Sequence, residues 1–281
     1  MHGSTIVSDR LADARAFADS VAGVVARHRD DAPPSWSPGQ AADASAWAGL
    51  GDALDELGWP SVADDPELVV CAGLGAVELG RAAAPISELD RLLGAAPVAS
   101  GMIRSPVDGG HCLESVEEGL ARRPVLTSES CPSPEGLEMR RVTGTGPAEP
   151  VAAEAWAIAW AAWLAASTGY LAGLGGAALD LTLDYVRGRA AFDATLGALA
   201  PVQQLLAAAA TAVRGVTLLC ADAPGEDALR HAGPAVRGAC DACHQVSGAI
   251  AYTLEYPLHR YSQRARALQT FNDALLDTFA G

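Results

Sequence analysis

Hydrophobic residues recur at helical spacing near the start of the chain. The first segment places them three or four positions apart: Ile6, Leu11, Phe17, Val21, Val24 and Val25. Such spacing puts apolar side chains on one face of a helix. After a polar, proline-rich run at 30–36, comparable patterns predict helices at 47–57, 67–82 and 87–95. Residues 1–100 are therefore predicted to form an N-terminal helical domain.

The pattern changes over residues 101–150, where Gly, Pro, Ser, Glu and Arg dominate. Two short stretches, 123–127 and 137–143, read as strands. A segment of this length holds about four or five short strands at most. We expect a small β or irregular segment here and no full sheet domain.

Helical periodicity returns over residues 151–281. It predicts segments at 152–168, 170–192, 200–221, 227–251 and 262–280. Long helices joined by short loops form antiparallel bundles. The predicted fold is therefore mainly α: an N-terminal helical domain, a much reduced middle β segment and a C-terminal four-helix-type bundle.

Composition and charge exclude several classes of partner. The chain has no lysine and a formal net charge of -15, which opposes binding to nucleic acid or to an anionic membrane surface. The most apolar window, 151–183, is rich in Ala and Gly and contains Glu154, which favours a buried bundle helix over a membrane span. No export signal opens the sequence, so we expect a cytoplasmic protein with reduced thiols.

Three local motifs carry possible chemistry but lack its context. Cys240, Cys243 and His244 match a haem-attachment pattern, but they lie within a predicted helix and no second ligand pair is spaced for zinc, so no metal site is predicted. The glycines at 173–176 lack the strand that precedes a phosphate loop and indicate close helix packing. Ser247 lies on the helix face of His244 without a nucleophile elbow.

Two arginines stand out in this acidic chain. Arg187 and Arg189 follow a long Ala-rich stretch. A guanidinium in apolar surroundings needs either a carboxylate or a phosphate. Both alternatives stay open for Arg189, whose candidate carboxylates are Asp184 and Asp193.

Two blocks of sequence around these arginines resemble the acyl-CoA dehydrogenase family. The first block contains Tyr185, Arg189 and Phe192 and is followed by Gln203, similar to the family's Tyr-x-x-x-Arg-x-Gln-Phe-Gly and Phe-Gln-x-Val-Gln. The second block, 245–260, reads Gln-Val-Ser-Gly-Ala-Ile-Ala-Tyr-Thr-Leu-Glu-Tyr-Pro-Leu-His-Arg. It is similar to the family's Gln-x-His-Gly-Gly-x-Gly-Tyr-Thr-x-Glu-Tyr-Pro-x-x-Arg.

The resemblance implies an FAD site shared between subunits and an acyl-CoA or acyl-carrier thioester as substrate. Arg189 would contact the FAD pyrophosphate with Phe192 beside it. The resemblance also assigns four further residues to the cofactor: Gln245, Gly248, Ala249 and Phe271. A planar, permanently charged guanidinium suits a diphosphate.

Departures from the family pattern are equally informative. Asn272 occupies the position of the catalytic glutamate, and an amide cannot remove a proton as that base does. The alternative base position falls on Trp163, and Asp193 places a negative charge beside the expected diphosphate.

These departures lead to three hypotheses. In the first, the chain is a base-less subunit that works in a hetero-oligomer with a homologous acyl-CoA dehydrogenase subunit supplying the glutamate. In the second, it is a flavin-free cyclase, lyase or scaffold with the same fold. In the third, it is a helical interaction module.

Overall fold

The computed structural model describes residues 3–29, 47–104, 110–117, 119–131, 137, 139–191 and 193–279. Within these ranges the helices are α1 Gly3–His28, α2 Leu50–Glu56, α3 Val69–Arg81, α4 Ser87–Asp90, α5 Ala153–Gly188, α6 Ala200–Asp222, α7 Glu226–Ser247 and α8 Leu258–Phe279. The strands are β1 Ala96–Pro97, β2 Met102–Ile103, β3 His111–Val116, β4 Gly119–Cys131, β5 Met139–Thr145, β6 Glu149–Pro150, β7 Ala190–Ala191 and β8 Ala194–Thr195. The prediction of a mainly α fold with a small sheet is confirmed.

The small sheet lies between the N-terminal helices and the bundle along the chain. Its strand order is β1-β3-β4-β5-β2, with β6 paired to the first half of β4. The pair β1–β3 is parallel and the others are antiparallel. Two strands were predicted by sequence, and they correspond to β4 and β5. The other strands are short or irregular in pattern, so alternation could not identify them.

The helix α5 corrects one prediction about the bundle. Sequence periodicity placed two helices at 152–168 and 170–192, whereas α5 is continuous over Ala153–Gly188. Gly169 lies in its buried middle, where a Cβ would be 2.0 Å from the carbonyl oxygen of Gly73 on α3. This glycine therefore permits close approach between helices and does not end one.

Glycines let the backbones of α3 and α5 meet directly. A Cβ at Gly173 would lie 2.1 Å from the Val77 carbonyl oxygen, and one at Gly80 would lie 2.1 Å from that of Tyr170. The close-packing interpretation of the glycines at 173–176 is thus confirmed for Gly173. The division of the chain at residues 100 and 150 stays a prediction.

The bundle has two distinct ends. Trp160, near the start of α5, contacts Glu226 at the start of α7 through its indole nitrogen, so these two helices run parallel. The phenol of Tyr256, just before α8, donates to the carbonyl oxygen of Leu181 near the end of α5. At the opposite end, the Phe279 ring near the end of α8 lies 5.9 Å from the ring of Trp160. The helix α8 therefore runs antiparallel to α5.

Among the residues that the structure describes, two helices are long and apolar enough to cross a membrane, α5 and α6. The apolar window of α5 is largely buried inside the protein, as expected for the core helix of a bundle. For α6 only 28% of the window is buried, because one side of this helix lies on the protein surface.

Candidate functional site

Arg189 ends α5 and begins a short hairpin. Its backbone nitrogen still bonds the Tyr185 carbonyl oxygen, and its own carbonyl oxygen accepts from the Leu196 amide at 2.7 Å. The strands β7 and β8 pair between these bonds. The backbone at Arg189 is thus fixed on both sides. Phe192, which was assigned to the cofactor by resemblance, lies outside the described residues.

The Arg189 side chain is exposed, so the sequence expectation of an apolar environment is wrong for both arginines. Arg187 donates to Asp184 at 3.0 Å, and these two side chains are 71% and 78% exposed. Within the described part of the chain, no carboxylate lies within ion-pair distance of Arg189. Asp184, one of the two candidate carboxylates for Arg189, is thus paired with Arg187. The Arg189 guanidinium is therefore available to an external anion.

Three of the other assigned residues lie at the same end of the bundle. Gln245 is exposed on the last turn of α7, and Gly248 ends this helix with a φ of 68°, a conformation that favours glycine. Ala249 follows in an exposed turn of 3₁₀ helix. Four residues after this turn, the Tyr256 ring packs against α5, at 5.7 Å from the ring of Tyr185.

An open groove lies beside the Arg189 hairpin. It has a volume of about 500 Å³ and its lining includes Leu183, Val186, Arg187, Thr195, Gln203 and Leu206. The Gln203 amide donates to the Gly197 carbonyl oxygen at 3.1 Å, which ties α6 to the turn after β8. The groove therefore combines apolar walls with polar groups at its rim, as ligand sites do.

Phe271 and Asn272 lie elsewhere, in a buried cluster near the opposite end of α5. The Oδ1 atom of Asn272 accepts a hydrogen bond from Arg104 at 2.8 Å. The Arg104 guanidinium lies over two rings, 5.4 Å from the centroid of Phe271 and 5.1 Å from that of Trp163. The two positions that the resemblance assigns to a catalytic base, 272 and 163, thus contact one internal arginine.

The predicted cofactor residues are divided between two places. At 1.5 Å per residue, the helical path from Trp163 to Arg189 is about 39 Å. Arg189, Gln245, Gly248 and Ala249 lie at one end, and Phe271 and Asn272 near the other. The assigned residues therefore do not form one compact site on a single copy of this chain.

The histidines and cysteines near the second block have structural partners. The Nε2 atom of His244 lies 2.8 Å from Ser262 Oγ and not beside Ser247. His259 is buried with Nδ1 3.0 Å from the Tyr256 carbonyl oxygen. Cys240 and Cys243 are buried in α7, where a haem could not reach them. No metal-binding group of three side chains occurs among the described residues.

Sequence reasoning missed the two residues that organise the buried cluster. Asp90 accepts from Arg104 at 3.0 Å and from the Trp163 indole at 3.1 Å. Arg104 itself is fully buried. Both residues lie in segments without a recognisable motif, and their partners are distant along the chain.

Comparison with protein families identifies the bundle. The sequence profile of the acyl-CoA dehydrogenase C-terminal domain matches residues 163–272. Sequence comparison with curated proteins finds no significant match.

Solved structures extend the likeness to the whole chain. The Tcur3481–Tcur3483 steroid ACAD G363A variant superposes with a TM-score of 0.64 at 16% identity, covering 98% of each chain. The ChsE4–ChsE5 complex from Mycobacterium tuberculosis gives a TM-score of 0.63 at 14% identity, covering 98% of this chain and 95% of the other. Glutaryl-coenzyme A dehydrogenase in its glutaryl-CoA complex gives 0.67 at 14% identity, covering 95% and 94%.

At these identities the superpositions establish the fold, and the profile establishes the relationship of the C-terminal bundle. Residues 163–272 therefore match the acyl-CoA dehydrogenase C-terminal domain, and the chain as a whole shares the fold of the acyl-CoA dehydrogenase structures.

Proposed function

We propose that this chain is an acyl-CoA dehydrogenase-like subunit that contributes to FAD-dependent α,β-dehydrogenation of an acyl thioester. A homologous partner subunit supplies the catalytic glutamate. The observation that carries this proposal is the exposed Arg189 guanidinium, which has no carboxylate partner within the described residues, at the bundle end remote from Asn272.

The exposed end has the chemistry of a diphosphate contact. Arg189 offers a planar array of donors, and Gly248 with Ala249 leaves backbone accessible beside Gln245. A cofactor held here would extend away from this chain's own buried cluster. It would therefore share its remaining contacts with a neighbouring subunit, which would also supply the base that positions 163 and 272 lack.

The structural relatives support a hetero-oligomer with a partner of the same family. Two of them are named as complexes of two proteins, and one is named as a steroid ACAD. We propose a heterotetramer in the cytoplasm that acts in lipid or steroid catabolism on a CoA or carrier-protein thioester. Because the middle β segment is small, it would leave room for a large, polycyclic acyl group.

The test is flavin retention by the complex of this chain with its partner. The partner is isolated by affinity purification of the tagged chain from its native host, and the complex is co-expressed and its visible spectrum recorded. Arg189→Ala should weaken FAD binding about tenfold or more, because charge-assisted hydrogen bonds contribute about 1.5–3 kcal/mol. Arg230→Ala is the matched control, since Arg230 is exposed, is paired with Asp277 and lies at the opposite end of the bundle.

The expected result is loss of flavin with Arg189→Ala and normal flavin with Arg230→Ala. Equal flavin content in both variants would exclude Arg189 from the cofactor site. Stoichiometric flavin in the chain purified alone, bleached by a thioester, would exclude the base-less role.

A second candidate function is a flavin-free role as cyclase, lyase or scaffold. It is favoured by Asp193, which is exposed in the same hairpin as Arg189 and opposes binding of a diphosphate. A complex that has full activity in its pathway but no flavin absorbance would support this alternative.

A further inference from the structure

A buried charge cluster joins four separate parts of the chain. Arg104 follows β2, Asp90 ends α4, Trp163 lies on α5 and Asn272 lies on α8. The guanidinium donates to Asp90 through Nε and Nη2 and to Asn272 through Nη1. These side chains are at most 3% exposed.

The charged and polar groups of the cluster pair with one another. Asp90 brings a carboxylate to the guanidinium, and the Trp163 indole donates to the same carboxylate. Asn272 accepts from Arg104 without adding charge. A glutamate at 272 would place a second carboxylate close to Asp90 in a buried site, at a large electrostatic cost. The amide therefore suits this environment better than a base would.

We propose that Arg104 closes this chain's own catalytic position from within. Its guanidinium occupies the space between positions 163 and 272, so no acyl thioester reaches them, and productive sites in the assembly lie on the partner side. This inference rests on the proposed function, because it states why this half of the assembly contributes no chemistry. The closure itself can be measured on the chain without flavin.

Fluorine NMR of the full chain labelled with 5-fluorotryptophan tests the closure at Trp163. The Trp163 resonance is assigned from its absence in Trp163→Phe. In the wild type, octanoyl-CoA at millimolar concentration should leave this resonance unchanged. In Arg104→Ala, ethylguanidinium at millimolar concentration should shift it, because the vacated space matches this cation. The same cation should have no effect on the wild type or on Arg91→Ala, a control arginine outside the cluster.

Each outcome has a defined meaning. A Trp163 shift with octanoyl-CoA in the wild type would overturn the closure, whether or not the variants fold. If ethylguanidinium does not shift the Trp163 resonance in folded Arg104→Ala, the closure is also overturned. The space vacated by the Arg104 side chain would then not be a guanidinium site. If Arg104→Ala does not fold, the wild-type octanoyl-CoA measurement alone decides.

The experiments can overturn the closure and the proposed subunit role independently of each other. Loss of the closure leaves the Arg189 flavin result untouched. A complex without flavin overturns the subunit role but does not alter the Trp163 resonance of the chain alone.

Discussion

Asn272 accepts a hydrogen bond from the guanidinium of Arg104, with 2.8 Å between Oδ1 and Nη1, and both side chains are buried. The bond joins α8 to the residue that follows β2, 168 positions earlier in the chain. It accounts for an amide at the position where the family resemblance places a glutamate.

Asn272→Ala should lower the free energy of unfolding by about 1–3 kcal/mol, because it leaves a buried charged donor without this acceptor. Urea unfolding followed by circular dichroism measures the change. Thr270→Ala, at an exposed position of the same helix, should change stability by less than about 0.5 kcal/mol. Equal effects of the two substitutions would contradict a stabilising role for the bond.

Gly173→Ala should destabilise the protein by about 3 kcal/mol or prevent its folding, because the new methyl group would meet the Val77 carbonyl oxygen at 2.1 Å. Gly238→Ala on α7 is the matched control, since nothing lies within 4 Å of its Cβ. That substitution should stabilise the helix by about 0.5–1 kcal/mol. Thermal melts of both variants compare the two effects, and a tolerated alanine at 173 would disprove the close contact.

Tyr170→Phe should cost about 1–3 kcal/mol, because the buried phenol donates to the Ala84 carbonyl oxygen and accepts from Arg264 at 3.0 Å. Tyr252→Phe removes a hydroxyl from a side chain that is 78% exposed and should be neutral. Chemical unfolding of the pair gives the difference. A neutral result at 170 would mean that solvent replaces both partners.

Burial lowers the pKa of His244 below its ordinary value. The unfolded chain then binds a proton more readily than the folded one, so stability is complete above the unfolded pKa of about 6.5. It is lost as pH falls below that value. The free energy of unfolding, measured from pH 8 to pH 5, should therefore fall less in His244→Gln than in the wild type. Parallel pH profiles would rule out this contribution.

Alkylation should distinguish the six cysteines. Burial raises the pKa of Cys112 to about 11 and that of Cys220 to about 12, so neither forms the reactive thiolate at neutral pH. Cys131 is half-buried at the end of β4. Iodoacetamide at pH 8 should modify Cys131 in the native protein and the other cysteines after denaturation, as read by peptide mass spectrometry. Rapid native labelling of Cys220 would show that the helices open.

Helical periodicity predicted the helical regions of the chain, but it divided α5 into two helices near Gly169. Helical periodicity marks α1, α3 and α6, and the blocks around Arg189 and Gln245 have a recognisable spacing. The buried cluster could not be predicted, because Arg104 lies in an irregular segment and its partner Asn272 is far away in sequence. Nothing local distinguishes an arginine that will be buried from one that will be solvated.

The glycine contacts between α3 and α5 have a consequence for how the protein unfolds. When two helices that pack backbone to backbone separate, each exposes a strip of apolar surface to water. The N-terminal helices and the bundle should therefore unfold in one cooperative transition, even though the sequence between them changes character at residues 101–150. A fragment ending near residue 100 should not fold, because Gly73 and Gly80 would have lost the surface to which they are fitted.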